Sequence, residues 1–528
     1  MGESYLAPGV YVEEVPSPVQ PIAGVGTNTA AFIGIVPDEL RYPIPNPDYD
    51  PTLAAAAADP KVDADQISRV QGEINSIKQE QDQITQRLAD ITRELNQTEP
   101  APPEENRRRT LTNQQRTIGQ RQEQLTRELN NANRLLQELQ TPTTIPERFL
   151  RPYTLETFTV TVDPLDATLC TNFREYTDRF GSFSADDPNN PDQVFHRALT
   201  HAIYGFFHNG GTRCFVARIN SPDELKPALE VFESIDEVAI VAAPGLSGQN
   251  VWTALVEHCG NCQDRFAILD CPATIETPDG VLEAQRLAYG PADSAPSEFL
   301  PQPDRNAAYY VPYIEVVDPA KQLQDQDPAR KVPLKYRGRV YVPPTGHVAG
   351  IYARTDEERG VHKAPANATV LGAVDVRYYI SKQKQQGLNP QGVNCIRSLN
   401  GNITVWGARN IGGDKLGEWK YVSVRRFFLF LRESIDEGTQ WVVFEPNDPA
   451  LWGKIRRNVT AFLTSVWRAG ALFGLTPEQA FYVKCDEQTN PPEERELGRV
   501  VTEIGVAIVR PAEFVIFRVT QATGPRTT

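Results

Sequence analysis

Arg213-Cys214-Phe215-Val216-Ala217-Arg218-Ile219 is followed by a helical pattern at 222–232, then by Val238-Ala239-Ile240-Val241-Ala242-Ala243. A second helical pattern at 251–259 leads to Phe266-Ala267-Ile268-Leu269. Short apolar runs of strand length, separated by helices, are the signature of strands buried on both faces of a mainly parallel sheet. The same pattern extends outward in both directions. Thr29-Ala30-Ala31-Phe32-Ile33-Gly34-Ile35-Val36 is another continuous apolar run, 158–162 and 310–317 are further strand candidates, and 193–207 is a further helix. An α/β domain is predicted over 26–50 and 142–370.

The region 371–504 reads as a mixed α+β domain, with elements at 420–431 and 441–444. Asn447-Asp448-Pro449 opens a strong amphipathic helix over 448–471, because Asp caps a helix and Pro suits its first turn. Trp452, Ile455, Val459, Phe462, Leu463 and Val466 share one stripe at helical spacing. Lys454, Arg456 and Arg457 cluster near its start, away from most of that stripe, with Arg468 further along.

Residues 67–139 differ in kind. Ile67, Val70, Ile74, Ile77, Ile84, Leu88, Ile91 and Leu95 step by threes and fours, with Gln81 the one polar interruption. After a proline-rich break at 100–103 and the run Arg107-Arg108-Arg109, the residues Leu111, Ile118, Leu125, Leu129, Leu136 and Leu139 repeat the register. This predicts an antiparallel two-helix coiled coil, inserted over 51–141, whose narrow seam is consumed by the hairpin itself. A surface decoration fits this better than a docking spike.

At 528 residues the chain is long enough for three or four folding units. Its 53 Lys+Arg against 68 Asp+Glu give a net charge of −15, which disfavours a nucleic-acid binder, since such surfaces need clustered cations. The opening Met1-Gly2-Glu3-Ser4-Tyr5 has no basic-then-apolar run, so no secretory signal is expected. Apolar stretches such as 238–244 are too short to span a bilayer. Seven scattered cysteines read as reduced thiols in a cytoplasm.

Catalytic patterns are missing. There is no phosphate-binding P-loop, dinucleotide glycine fingerprint, His-Glu-x-x-His or G-x-S-x-G elbow. Gly210-Gly211 follows a helix and precedes a strand, so it reads as a helix C-cap. His258-Cys259-Gly260-Asn261-Cys262, with Cys271 downstream, has a metal-ligand or redox spacing. Zinc would need a second ligand pair, and redox pairs sit at helix starts rather than ends. Structural thiols are the reading, with no metal and no cofactor expected.

Two segments then carry a resemblance. Tyr5-Leu6-Ala7-Pro8-Gly9-Val10-Tyr11-Val12-Glu13-Glu14-Val15-Pro16-Ser17, followed by Pro21-Ile22-Ala23-Gly24-Val25 and Ala30-Ala31-Phe32-Ile33-Gly34, resembles the opening of tail sheath proteins of contractile phage tails and injection systems. Val342-Pro343-Pro344-Thr345-Gly346-His347-Val348-Ala349-Gly350-Ile351-Tyr352-Ala353-Arg354-Thr355-Asp356, continuing through Arg359-Gly360-Val361-His362-Lys363-Ala364-Pro365-Ala366-Asn367, is similar to the most recognisable stretch of that family. Further words follow in family order: Val405-Trp406-Gly407-Ala408-Arg409, Trp419-Lys420-Tyr421-Val422, Arg425-Arg426, Trp441-Val442-Val443-Phe444-Glu445-Pro446-Asn447 and Pro511-Ala512-Glu513-Phe514. The resemblance covers the chain except about 51–141, and His362 stands where an aromatic is expected.

The resemblance implies a structural, non-catalytic subunit that stacks as rings into a helical homo-oligomeric sheath on an inner tube and contracts to drive the tube through an envelope. It implies baseplate and terminal cap proteins as partners, no nucleic acid and no membrane insertion. It also implies a cytoplasmic origin in a producing bacterium, within an assembled particle. The runner-up is a non-contractile filament or shell protein, and behind it an α/β enzyme with an unfamiliar motif. Two terminal segments lack a local pairing partner: Val10, Tyr11, Val12, Glu13, Glu14 and Val15 between prolines, and Phe514, Val515, Ile516, Phe517, Arg518 and Val519. Such strands are hazards in a monomer but connectors in a polymer. Linker arms are therefore expected over 1–25 and 505–528, inserting strands into neighbouring subunits. By the same resemblance 371–504 is the inner domain, with Lys454, Arg456 and Arg457 facing the tube.

Overall fold

The runs Ala30–Ile35, Cys214–Ile219, Ile240–Ala242, Phe266–Asp270 and Ala307–Val311 are buried at every position, which only a sheet covered on both faces can achieve. They lie side by side in a computed structural model that describes residues 21–58, 61–97, 105–140, 147–186, 193–274 and 300–516. The chain divides into two compact units, one of residues 1–43, 155–322 and 338–528, the other of 44–154 and 323–337.

In the first unit a nine-stranded mixed sheet runs in the order Ala368–Thr369, Asn402–Val405, Val393–Leu399, Ala307–Val311, Phe266–Asp270, Ile240–Ala242, Ala30–Ile35, Cys214–Ile219, Thr168–Cys170. Every pairing from Val393–Leu399 through to Cys214–Ile219 is parallel. Antiparallel strands finish both ends. Alternate residues separate onto the two faces. Phe32, Val216 and Ile268 join Leu199, Ile203 and Tyr352 on one side, whereas Ile33, Phe215 and Leu269 join Leu229, Trp252 and Leu255 on the other. The helices Gln193–His208 and Thr345–Arg359 cover the first face, and Leu225–Glu233 and Gln249–Cys262 cover the second.

Helices Gln193–His208 and Thr345–Arg359 cross at backbone distance. A Cβ on Gly346 would lie 2.1 Å from the Ala202 carbonyl oxygen, and one on Gly350 would lie 2.4 Å from that of Phe206. The Gly346-His347-Val348-Ala349-Gly350 word is thus a packing device. Gly210 and Gly211 close the first helix, donating to the carbonyls of Phe207 and Phe206, with Gly210 at φ 109°.

Two boundaries differ from the sequence reading. The run 310–317 is two strands, Ala307–Val311 and Ile314–Val317, in different sheets, because Pro312 between them has no N–H for a ladder. Ile314–Val317 pairs instead with Arg339–Val342 and Ala373–Val376. The strand expected at 158–162 runs over Tyr153–Thr159, and Val160 and Val162 enter the core from irregular chain. Near the C-terminus the strand is Glu503–Val506, paired with Phe481–Lys484 in a sheet of two strands.

A third apolar cluster joins the helices Val422–Thr439 and Pro449–Arg468 to that hairpin. Asp448 caps the second helix as expected, accepting from the Leu451 N–H at 2.8 Å. Trp452, Ile455, Val459, Phe462, Leu463 and Val466 are all buried.

The second unit holds the helical hairpin Lys61–Gln97 and Glu105–Gln140, preceded by Pro51–Ala58. Val70, Ile74, Leu111 and Leu125 are buried, and the other described seam residues are half-buried among exposed neighbours. Gln81, the polar interruption, donates to the Thr126 hydroxyl of the other helix at 3.3 Å. Arg121 pairs with Glu80 across the seam at 3.1 and 3.3 Å.

Candidate functional site

The thiol cluster offers little chemistry. Burial pushes the Cys259 thiol far up and raises Cys262 as well, so neither is a ready thiolate at neutral pH. Glu233, His258 and Cys262 do approach one another, with Cys262 Sγ 3.9 Å from both imidazole nitrogens and Glu233 3.8 Å from Nδ1. Arg265, however, places a guanidinium nitrogen 3.5 Å from Nε2, where it donates to the ring. That guanidinium sets a fixed positive charge against any cation held between Glu233, His258 and Cys262. Burial, then Arg265, lowers the His258 pKa to about 4. The carbonyls of Phe232 and Ile235 accept from Arg265, so the cluster ties loops together.

What the structure builds with care is the base of each terminal segment. On the N-terminal side, Arg426 donates to both oxygens of Asp356 at 3.0 and 2.7 Å and to the Thr27 carbonyl at 2.7 Å. The Thr27 hydroxyl donates to the same carboxylate at 2.8 Å. Both charged side chains are almost wholly buried. Burial raises the Asp356 pKa against the pull of Arg426 and Thr27. On the C-terminal side, Glu513 accepts two bonds from Arg409 at 2.8 and 2.7 Å, one from Asn389 at 2.6 Å and one from the Tyr421 hydroxyl at 2.9 Å. Burial alone would raise this carboxyl. The donors from Arg409, Asn389 and Tyr421 outweigh it and hold Glu513 below the usual glutamate range.

Of the expected inter-subunit strands, Val10 to Val15 lie outside the described residues, as do Phe517, Arg518 and Val519. Phe514, Val515 and Ile516 are exposed and belong to no sheet. The hairpin Phe481–Lys484 with Glu503–Val506 has no third strand among the described residues, so each of its strands keeps an edge free of strand pairing. Lys454, Arg456 and Arg457 are all exposed, and Arg456 donates to the Cys485 carbonyl at 3.2 Å. Lys454 and Arg457 make no ion pair among the described residues.

A cavity of about 340 Å³ opens beside Thr27, walled in part by Asp236, Glu237, Asp264, Glu433 and Glu437. Burial and the surrounding carboxylates raise the Glu433 pKa. The lining favours cations in general and selects none. No helix among the described residues is long and apolar enough to cross a membrane.

The Arg409–Glu513 and Arg426–Asp356 pairs escaped the reading of the sequence. The available signal was charge standing inside otherwise apolar words, as in Pro511-Ala512-Glu513-Phe514.

Two family models match, described as the phage tail sheath protein central domain over residues 221–411 and the phage tail sheath C-terminal domain over 414–522. A tail sheath protein of Vibrio phage KVP40 is 25% identical over 187 residues, 35% of this chain and 26% of that protein. The chain spans 26% and 64% of the lengths of the curated relatives it matches. Among solved structures, the sheath of the extracellular contractile injection system PVC, in its contracted state, is 26% identical with a TM-score of 0.55, covering 69% of this chain and 88% of that one. The contracted helical sheath of the anti-feeding prophage aligns over 98% of this chain and 100% of its own at 21% identity and a TM-score of 0.56, a likeness of fold.

Proposed function

Since this chain belongs to the phage tail sheath family, we propose that it is the sheath subunit of a contractile particle. It polymerises helically around an inner tube, is held in an extended metastable state, and shortens to drive the tube through a target envelope. The observation that carries this reading is the likeness to a contracted injection-system sheath over 88% of that chain at 26% identity. No reaction is assigned to it, and the work it does is mechanical.

Within that reading, residues 1–25 and 505–528 are linker arms whose strands, at 10–15 and 514–519, add to sheets of neighbouring subunits. The open-edged hairpin Phe481–Lys484 with Glu503–Val506 supports this, because a two-stranded sheet has backbone donors and acceptors to spare. Residues 26–50 and 142–370 form the sheath body, 51–141 a surface decoration, and 371–504 the inner part, with Lys454, Arg456 and Arg457 against the tube. Baseplate and terminal cap proteins are its further partners, and it is made in the cytoplasm of a producing bacterium. A heterologous contact whose rotation does not close gives such a helical lattice.

Negative-stain microscopy of the purified chain tests the proposal. Hollow striated tubes of two lengths are expected. Smooth filaments of a single length would replace it with a non-contractile filament protein, and absence of any polymer would overturn it. Deleting residues 1–17 should leave a folded subunit that no longer polymerises.

A further inference from the structure

We infer that the helix Val422–Thr439, with Tyr421 just ahead of it, is a yoke to which both terminal arms are fastened, so that tension arriving on one arm passes to the other through one rigid element. This rests on the reading of the termini as inter-subunit linkers.

The N-terminal root is laid lengthwise along one stripe of that helix. Thr27 meets Arg426 at 2.7 Å, and a Cβ on Gly24 would meet the Phe430 ring at 3.0 Å. The Val25 N–H donates to the Ser434 hydroxyl at 3.1 Å, and a Cβ on Gly438 would lie 2.6 Å from Ile22. Residues 426, 430, 434 and 438 are spaced by four, the repeat of a single helical face. Ile22 is buried in the cluster that also holds Phe427 and Leu431. Arg426 then ties the same stripe to Asp356 in the body and lies over the Tyr352 ring at 4.8 Å, whose hydroxyl is 2.8 Å from that of Tyr310.

The C-terminal root is fastened at the other end of the same element. Tyr421 donates to Glu513 and forms a β-bridge with Arg409, the residue that grips Glu513 with two bonds. Asn410 donates to the Lys420 carbonyl at 2.8 Å, and Arg409 also donates to Asn389 and Asp414, so the grip is braced from three sides. Loops alone would let each arm pull independently. A hydrogen-bonded helix does not stretch, so Glu513 at its start and residues 22–27 along its length are kept at a fixed separation.

The test uses the full-length chain with Gly438→Leu, which crowds Ile22 off the stripe while favouring the helix, and separately Glu513→Ala. In isolated subunits, exchange of the Val25 amide should rise roughly tenfold or more in Gly438→Leu, with chymotryptic cleavage after Phe514 unchanged. Glu513→Ala should do the reverse. Should Gly438→Leu fail to fold, Ile22→Ala loosens the same root from the other side. In wild-type sheaths driven to contract, rings should stay joined, whereas either variant should assemble and then break between rings. Variants that keep wild-type exchange and cleavage, or that contract unbroken, would overturn the yoke. A wild-type chain that forms no sheath would instead defeat the linker reading, with the exchange and cleavage data still deciding whether the roots are fastened.

Discussion

Arg409 holds Glu513 through two parallel N–H···O bonds of 2.8 and 2.7 Å, joining residues 104 positions apart. The arginine is 4% exposed and the glutamate 20%, so the pair sits at the point where the C-terminal segment leaves the body. A bidentate guanidinium–carboxylate pair fixes direction as well as distance, which a lysine ammonium does not.

Replacing Arg409 by Met should therefore cost the body about 3–5 kcal/mol, because Glu513, only 20% exposed, loses the guanidinium that grips it with two bonds, whereas the exposed Asp414 keeps Lys420 at 3.3 Å. Arg409→Lys should recover less than half of that. Denaturant unfolding followed by tryptophan fluorescence reads both, and a wild-type midpoint for Arg409→Met would sink the assignment.

Gly350→Ala should destabilise by about 3 kcal/mol or more, since its Cβ would lie 2.4 Å from the Phe206 carbonyl oxygen and backbone cannot yield like a side chain. Gly72 offers the contrast. It is interior to the helix Lys61–Gln97 with nothing within 4 Å, so Gly72→Ala should stabilise the hairpin by about 0.5–1 kcal/mol. Equal and opposite shifts in unfolding midpoints of the two units are not expected. A loss in the first and a gain in the second are.

Acid should destabilise the sheath body well above the carboxylate range. Burial lowers His196 and His258 to about 4 and His347 to about 3, against an ordinary value of 6.5. Between those values the unfolded chain takes up protons that the folded chain refuses, so stability falls as pH drops from 6.5 toward 4. Each group contributes about 1.4 kcal/mol per pH unit within its window. Asp270, raised to about 7 by burial, works the other way, holding a proton in the folded state that the unfolded chain releases above 3.8. His362, lowered mainly by burial, joins the three histidines, and Asp356 and Glu433, raised mainly by burial, join Asp270. Four imidazoles against three carboxyls leave a net loss on acidification, and His347→Gln should flatten the slope of unfolding free energy between pH 4 and 6.5.

The hairpin should be separable from assembly. Leu125 is fully buried in its seam, so Leu125→Ala should melt the hairpin alone, at about 2–5 kcal/mol, visible as helical circular dichroism lost in a first transition. Exchanging residues 61–140 for a short Gly/Ser linker should leave polymerisation and contraction intact. Sheaths that fail to form would make the hairpin a lattice contact.

Reversing Arg456 and Arg457 to Glu should spare the fold, because both are exposed and the helix is held by its other face. Exposed charge pairs contribute about 0–1 kcal/mol each and are screened by salt, which suits a contact that must release. Contracted sheaths without tubes are the expected product. Extended sheaths on tubes would remove these residues from the tube face.

The sequence by itself determined whatever is encoded within a few residues of chain. Apolar runs of five or six gave the sheet strands, threes and fours gave the hairpin seam including the place of Gln81, and Asp448-Pro449 gave the start of a helix that Asp448 does cap. Periodicity and capping are local, so they survive without knowledge of the fold. The tertiary structure alone decided which charges meet. Asp356 finds Arg426 across 70 residues and Glu513 finds Arg409 across 104, and nothing near any of the four foretells its partner. It also decided that Gly346 and Gly350 serve a helix crossing and that Pro312 sends Ile314–Val317 to another sheet. Those outcomes depend on how distant segments return to one another, and that is fixed by burial of the whole core rather than by any one stretch of chain.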